Sequence, residues 1–135
     1  MSIQPVFGSR TSITVTLDGL ADGAIADSLE YNNTTLLTPD LRISVDAIGS
    51  NIAESGSLIV YAREGLLSGG LETDDNLTRI GSIPLNGTTA VHGVLLYEQA
   101  APFFKLSFKQ SSSNGYALGG SGNAAYTMIE TVQDV

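Results

Sequence analysis

A two-residue alternation of apolar and polar side chains limits the fold of this chain more than any other feature. Residues 12–17 read S-I-T-V-T-L, so Ile13, Val15 and Leu17 share one face and Ser12, Thr14 and Thr16 the other. A period of two belongs to a β-strand half covered by a core. The residue types are strand formers as well. The pattern recurs along the chain. Leu41, Ile43, Val45 and Ala47 alternate with Arg42, Ser44 and Asp46, and Phe104, Leu106 and Phe108 alternate with Lys105, Ser107 and Lys109. Residues 57–63 (SLIVYAR) and 91–97 (VHGVLLY) are apolar on both faces, as in strands covered on both sides. Residues 77–83 carry Gly81, which marks a bulge. Residues 124–132 form a last strand, and a weaker candidate between 24 and 37 is interrupted by Asn32-Asn33.

Between these runs lies turn chemistry. Asp18-Gly19, Asp22-Gly23, Ser68-Gly69-Gly70, Asn86-Gly87 and Asn114-Gly115 supply residues that tolerate positive φ. No segment carries a convincing helical stripe. About eight short strands with turns between them predict an all-β fold, an antiparallel two-sheet sandwich of the jelly-roll type. An immunoglobulin-like sandwich is the second choice, weakened by the lack of Trp and Cys. Ile13, Val15, Leu17, Ile43, Val45, Val60, Leu106 and Phe108 are expected to point inward between the sheets. The 135 residues read as a single domain, residues 1–135. The Gly/Ser-rich stretch 111–123 (SSSNGYALGGSGN) lies between two strands. Its composition predicts a mobile surface loop, and long loops of this kind also serve binding or assembly.

Composition excludes several functions. The net charge of −8 argues against nucleic acid, which requires a basic face. The chain has no Cys, which removes disulfides and thiolate chemistry. Residues 1–12 lack the basic and apolar regions of a signal peptide, so the chain is expected to be made in the cytoplasm of its host. The longest uncharged stretch, 110–129, is too rich in Ser, Gly and Asn to span a membrane.

Candidate chemistry is sparse. His92 is the one histidine, and any Ser-His-Asp triad would have to use it. It sits in an apolar strand with no G-x-S-x-G elbow, which favours a packed or surface imidazole. The acidic run 72–76 (Glu72, Thr73, Asp74, Asp75, Asn76) is an oxygen-rich loop without the EF-hand pattern, so a solvated turn is the expectation over a calcium site. The N-x-T matches at Asn32, Asn33, Asn76 and Asn86 are read as turn residues. No phosphate-cradling Gly-rich loop opens a helix. No enzyme and no cofactor are expected. Asp18, Asp22, Asp27, Glu30 and Asp40 form a segment with five acids and no base. A solvated face is the plain reading, and a surface that docks on a basic partner is the functional one.

Several stretches together resemble a family of small tailed-phage virion proteins. Residues 12–24 (SITVTLDGLADGA) resemble their first strand and acidic-glycine turn. Tyr31-Asn32-Asn33-Thr34-Thr35 followed by Leu41-Arg42-Ile43-Ser44-Val45 resembles their N-T-T segment and a central strand. Residues 58–62 (LIVYA) and 117–127 (ALGGSGNAAYT) resemble their next strand, small-residue loop and last strand. The family includes jelly-roll cement or decoration proteins on the outside of capsids. The resemblance implies a structural virion protein on the capsid surface that binds the major capsid protein and stabilises contacts between its subunits. It implies no catalytic residue. The apolar outer faces of 57–63 and 91–97 add the expectation of a homo-oligomer, a dimer first. A tail or baseplate adaptor of the same fold is the alternative within a virion, and a carbohydrate-binding β-sandwich module the alternative outside one. Missing Trp weakens the last, since sugar sites favour aromatic platforms. A small hydrolase built on His92 is a remote third.

Overall fold

The alternating segments pair into two antiparallel sheets. The computed structural model of the chain describes residues 3–7, 11–34, 40–73, 77–98, 100–112 and 114–134. Ten strands are seen among them. They are β1 (Ile3–Phe7), β2 (Thr11–Ser12), β3 (Ile25–Asp27), β4 (Tyr31–Asn32), β5 (Leu41–Ala47), β6 (Ser57–Gly65), β7 (Thr78–Pro84), β8 (Val91–Tyr97), β9 (Phe103–Ser111) and β10 (Ala124–Asp134). One sheet has the order β1-β10-β5-β8, with β2 also on β10. The other has the order β3-β9-β6-β7, with β4 also on β9. Taking β1 with β2 as one broken strand and β3 with β4 as another leaves eight. Their chain order then changes sheet at every step except β6 to β7, as in a jelly roll, with the first strand lying beside the last. This strand order sets aside the immunoglobulin-like alternative.

The core lies between the inner faces and follows the alternation. Ile43, Val45, Val60, Leu106 and Phe108 have no exposed surface, Ile13 and Leu17 are buried, and Val15 is half-buried against the same cluster. Phe104 stacks on Tyr31 at 5.1 Å and meets Tyr97 edge-on at 5.2 Å between ring centres. Gly81 marks the expected irregularity: Val60 pairs with Gly81 but Tyr61 with Arg79, so Ile80 is the extra residue.

Three expectations change, and one strand is new. Residues 12–17 are not one strand. Their ladder with β10 stops at Ser12, Ile13 N–H donates once more to the Ala125 carbonyl at 2.9 Å, and the chain then crosses toward the other sheet. The crossing segment keeps the alternation because Leu17 still has to reach the core. The strand at Ile3–Phe7 has no alternation to announce it and forms by pairing with β10 from the far end of the chain. The β8 strand is not covered on both sides, since His92, Val94 and Leu96 face outward and are exposed. Within 111–123 the described residues are held to the sandwich at two points. Leu118 is buried, its N–H donates to the Leu20 carbonyl at 2.9 Å, and it bridges to Gly49. Asn123 anchors the far end of the loop by donating to Asp18 and to the carbonyls of Gly119 and Ser121.

Candidate interaction surface

At one end of the sandwich the chain leaves β6 in a glycine-flanked turn that exposes two adjacent leucines. Leu66 is 80% and Leu67 74% exposed. The turn closes with Gly70 N–H donating to the Leu67 carbonyl at 3.0 Å. Gly65 must be glycine here, because a Cβ would lie 2.5 Å from the Gly70 carbonyl oxygen. The carboxylate of Glu30, between β3 and β4, accepts from Ser68 Oγ at 2.6 Å and from Gly69 N–H at 2.8 Å. Those two hydrogen bonds hold the Glu30 carboxyl below its usual range, with a smaller pull from Lys105. They also bring exposed Leu29, next to Glu30, to the same end as Leu66 and Leu67. The result is an apolar tip on a fixed turn. Exposed leucines scattered singly are ordinary, and here two lie side by side on a hydrogen-bonded turn.

Below the tip, on the outer face of the second sheet, lies an open cleft of about 290 Å³ lined by Asp27, Glu30, Arg63, Gly69, Leu71, Glu72 and Lys105. Arg63 points away from the core yet is only 8% exposed. Its Nε donates to Asp27 Oδ1 at 3.0 Å and to Ser107 Oγ at 2.9 Å, and Ser107 donates to the same Asp27 oxygen at 2.5 Å. A longer bond of 3.4 Å reaches the Glu72 carbonyl. The arginine charge is thus matched inside the fold. Beside it, Tyr97 O–H donates to Glu64, and Thr78 Oγ1 donates to Glu64 at 2.8 Å and to Glu72 at 3.1 Å. Burial pushes the Tyr97 hydroxyl well above its usual range, and Glu64 adds to the shift.

The five acids singled out in the sequence are divided between different parts of the fold. Asp18 accepts from Asn123 N–H at 3.1 Å, and Asp22 from Ser112 N–H at 2.8 Å, both beside the loop 111–123. Asp27 belongs to the Arg63 network and Glu30 holds the tip. Asp40, just before β5, is half-buried and also engaged. His92 Nδ1 lies 2.6 Å from Asp46 Oδ1, with both side chains exposed on the outer face of the first sheet. Of the acidic run 72–76, Glu72 accepts from Glu64 N–H at 3.0 Å, while residues 74–76 lie outside the described residues. Among the described residues no three His, Cys, Asp or Glu side chains gather as a metal site. No helix among them is long and apolar enough to cross a membrane.

Two features went unread in the sequence. The tip had a signal, the Leu66-Leu67 pair running directly into Ser68-Gly69-Gly70. The other is Glu54, buried at 3% exposure, which accepts from Gly56 N–H at 2.9 Å and Ser112 Oγ at 2.9 Å and so ties the 50s loop to the segment leaving β9. Nothing in its local sequence distinguishes it from a surface glutamate.

No protein-family model matches the chain, and no curated protein matches its sequence. Solved structures do. The CBM36-1 domain of a multidomain xylanase from the hindgut metagenome of Trinervitermes trinervoides superposes with a TM-score of 0.51 at 10% identity, covering 95% of this chain and 96% of that one. A xylan-binding module, CBM15, gives 0.49 at 18% identity over 95% of both chains. The SPBc2 prophage-derived protein YomS gives 0.47 at 12% identity over 95% and 96%. At such identities the likeness is one of fold. This chain is an all-β jelly-roll sandwich.

Proposed function

We propose that this chain is a structural virion protein of the cement or decoration type. It binds the outside of a phage capsid and stabilises contacts between major capsid subunits. The observation that carries the reading is the apolar tip, Leu66 and Leu67 exposed on a turn hydrogen-bonded to Glu30. Preorganised apolar side chains contribute to protein–protein binding because little entropy is lost in ordering them. The virion part of the reading comes from the sequence resemblance. The mechanism is mechanical and has no chemical step: surface buried across a joint adds to the free energy needed to separate the subunits. The acids Asp18, Asp22 and Asp40 lie outside the tip and set orientation toward basic groups on the shell.

The fold is shared with carbohydrate-binding modules, but the cleft under the tip is lined by charged and aliphatic side chains without an aromatic platform. The test is sedimentation of the purified protein with undecorated capsids. The wild type is expected to pellet with them. A double variant, Leu66→Ser with Leu67→Ser, is expected to bind about 30-fold more weakly, the loss from removing a contact worth about 2 kcal/mol. A wild type that never pellets with capsids, or that is held by insoluble xylan instead, overturns the reading. A copy number of only a handful per virion replaces it with the tail adaptor.

A further inference from the structure

We infer that β8 is an edge for self-association: two copies join β8 to β8 antiparallel, about a twofold axis at Val94, into one continuous sheet. The inference concerns the second copy as partner and stands apart from the capsid reading.

The two sheets end side by side at β7 and β8, and among the described residues no strand pairs beyond either. Open edges template further pairing, and soluble proteins blunt them with charge, proline or a bulge. The β7 edge has all three: Arg79, the bulge beside Gly81, and Pro84. The β8 edge has none. From His92 to Tyr97 it contains no Lys, Arg or Pro. Its register with β5 is unbroken from Ala47↔Val91 to Leu41↔Tyr97. On its outer face Val94 and Leu96 are 54% and 44% exposed. One edge is protected and its neighbour is an even, apolar strand.

The register of β5 on β8 selects the axis. Asp46 lies beside His92, Ser44 beside Val94 and Arg42 beside Leu96. An axis at Val94 sets Val94 against the second Val94 and His92 against the second Leu96. Each outer row then runs Asp46, His92, Leu96, Arg42 across the two copies, with an acid at one end and a base at the other. An axis at Leu96 would bring the two Arg42 side chains into one row. An axis at Leu95 would add the second copy's Glu98 to the row that already holds Asp46. Of these three, the Val94 axis alone keeps like charges out of a shared row.

The chain contains no cysteine, so a single introduced thiol reports the register cleanly. Val94→Cys places two thiols opposite each other across the axis, at a separation that suits a disulfide. Leu96→Cys faces His92 of the second copy and serves as the control. The wild type is expected to sediment as a dimer in analytical ultracentrifugation, Val94→Cys to form a covalent dimer under mild oxidation, and Leu96→Cys to stay uncrosslinked. Val94→Lys, at an exposed position, is expected to give a monomer with an unchanged circular dichroism spectrum. A monomeric wild type overturns the inference. So does a dimer that survives Val94→Lys, or one that crosslinks through Leu96→Cys in preference to Val94→Cys.

Discussion

Ile83 occupies the space over Gly93. A methyl group on Gly93 would sit 2.6 Å from Ile83 Cγ1 and 2.8 Å from its Cδ1. The arrangement is reciprocal, since a methyl on Gly81 would meet Leu95 Cδ2 at 2.8 Å. At the β7/β8 side of the sandwich, each strand thus offers a glycine to the other's branched side chain, and the two sheets close on each other there. Gly93→Ala is expected to cost about 1–3 kcal/mol through overpacking, as the ring of core around Ile83 yields only partly. Adding Ile83→Val should recover part of that loss. Urea unfolding of the two variants and the wild type checks both statements.

The Asp27 carboxylate accepts from both Arg63 and Ser107, and its side chain is 40% exposed. Asp27→Asn keeps the shape and removes the charge that Arg63 faces. Hydrogen bonds to charged groups contribute about 1.5–3 kcal/mol, and the partial exposure places this loss toward the lower end. Thermal unfolding measures it. A variant as stable as the wild type would show that Arg63 is held by packing against the 66–72 segment and not by its partner.

Tyr97 is neutral in the folded chain and its hydroxyl is raised above the ordinary value of 10. The stability it contributes is therefore present below pH 10 and is lost as the pH rises past the point where the unfolded tyrosine ionises. Tyr97→Phe removes the donor to Glu64 and strands the Ala101 N–H that reaches the hydroxyl at 3.2 Å. It is expected to cost about 1–3 kcal/mol at neutral pH. Above pH 10 the gap between variant and wild type should narrow, and denaturant midpoints on either side of that pH read it directly.

Glu30 works in the opposite direction. Its carboxyl is held below the ordinary 4.5 by the hydrogen bonds from Ser68 and Gly69. The tie on the tip is present above pH 4.5 and is lost as the pH falls through the lowered value. The Gly69 amide proton resonance should titrate with a midpoint under 4.5, and Glu30→Gln should abolish that titration. A midpoint at or above 4.5 would show that the carboxylate does not hold the turn.

Much of the sandwich was legible because its inner faces obey a period of two. The strand at Leu41–Ala47 ends where the alternation ends, and Val91–Tyr97 has the bounds its apolar run announces. Gly81 gave away the slip in β7 because a residue without Cβ tolerates both the bulge and the close approach of Leu95. What escaped depends on partners distant in sequence. Ile3–Phe7 carries Pro5 and no alternation, and pairs with a strand more than a hundred residues away. Arg63 looked like the polar end of a strand, and its burial comes from Asp27 and Ser107, 36 and 44 residues away. Asp18, Asp22, Asp27 and Glu30 looked alike in sequence, yet each accepts from different donors, and of these Glu30 holds the tip. Composition sees charge, and it does not see which donor each carboxylate will meet.

The position of β10 governs how the molecule can be made. This last strand lies between β1 with β2 on one side and β5 on the other, so it is an interior member of its sheet. While the ribosome still holds residues 124–134, β5 lacks one of its two neighbours and β1 has none in its sheet. The first sheet therefore closes only after residues 124–134 have left the ribosome, by pairings between segments more than a hundred residues apart. Contacts of such sequence separation form slowly. In the interval the nascent protein displays several open strand edges at once, which is the state most prone to wrong association between chains.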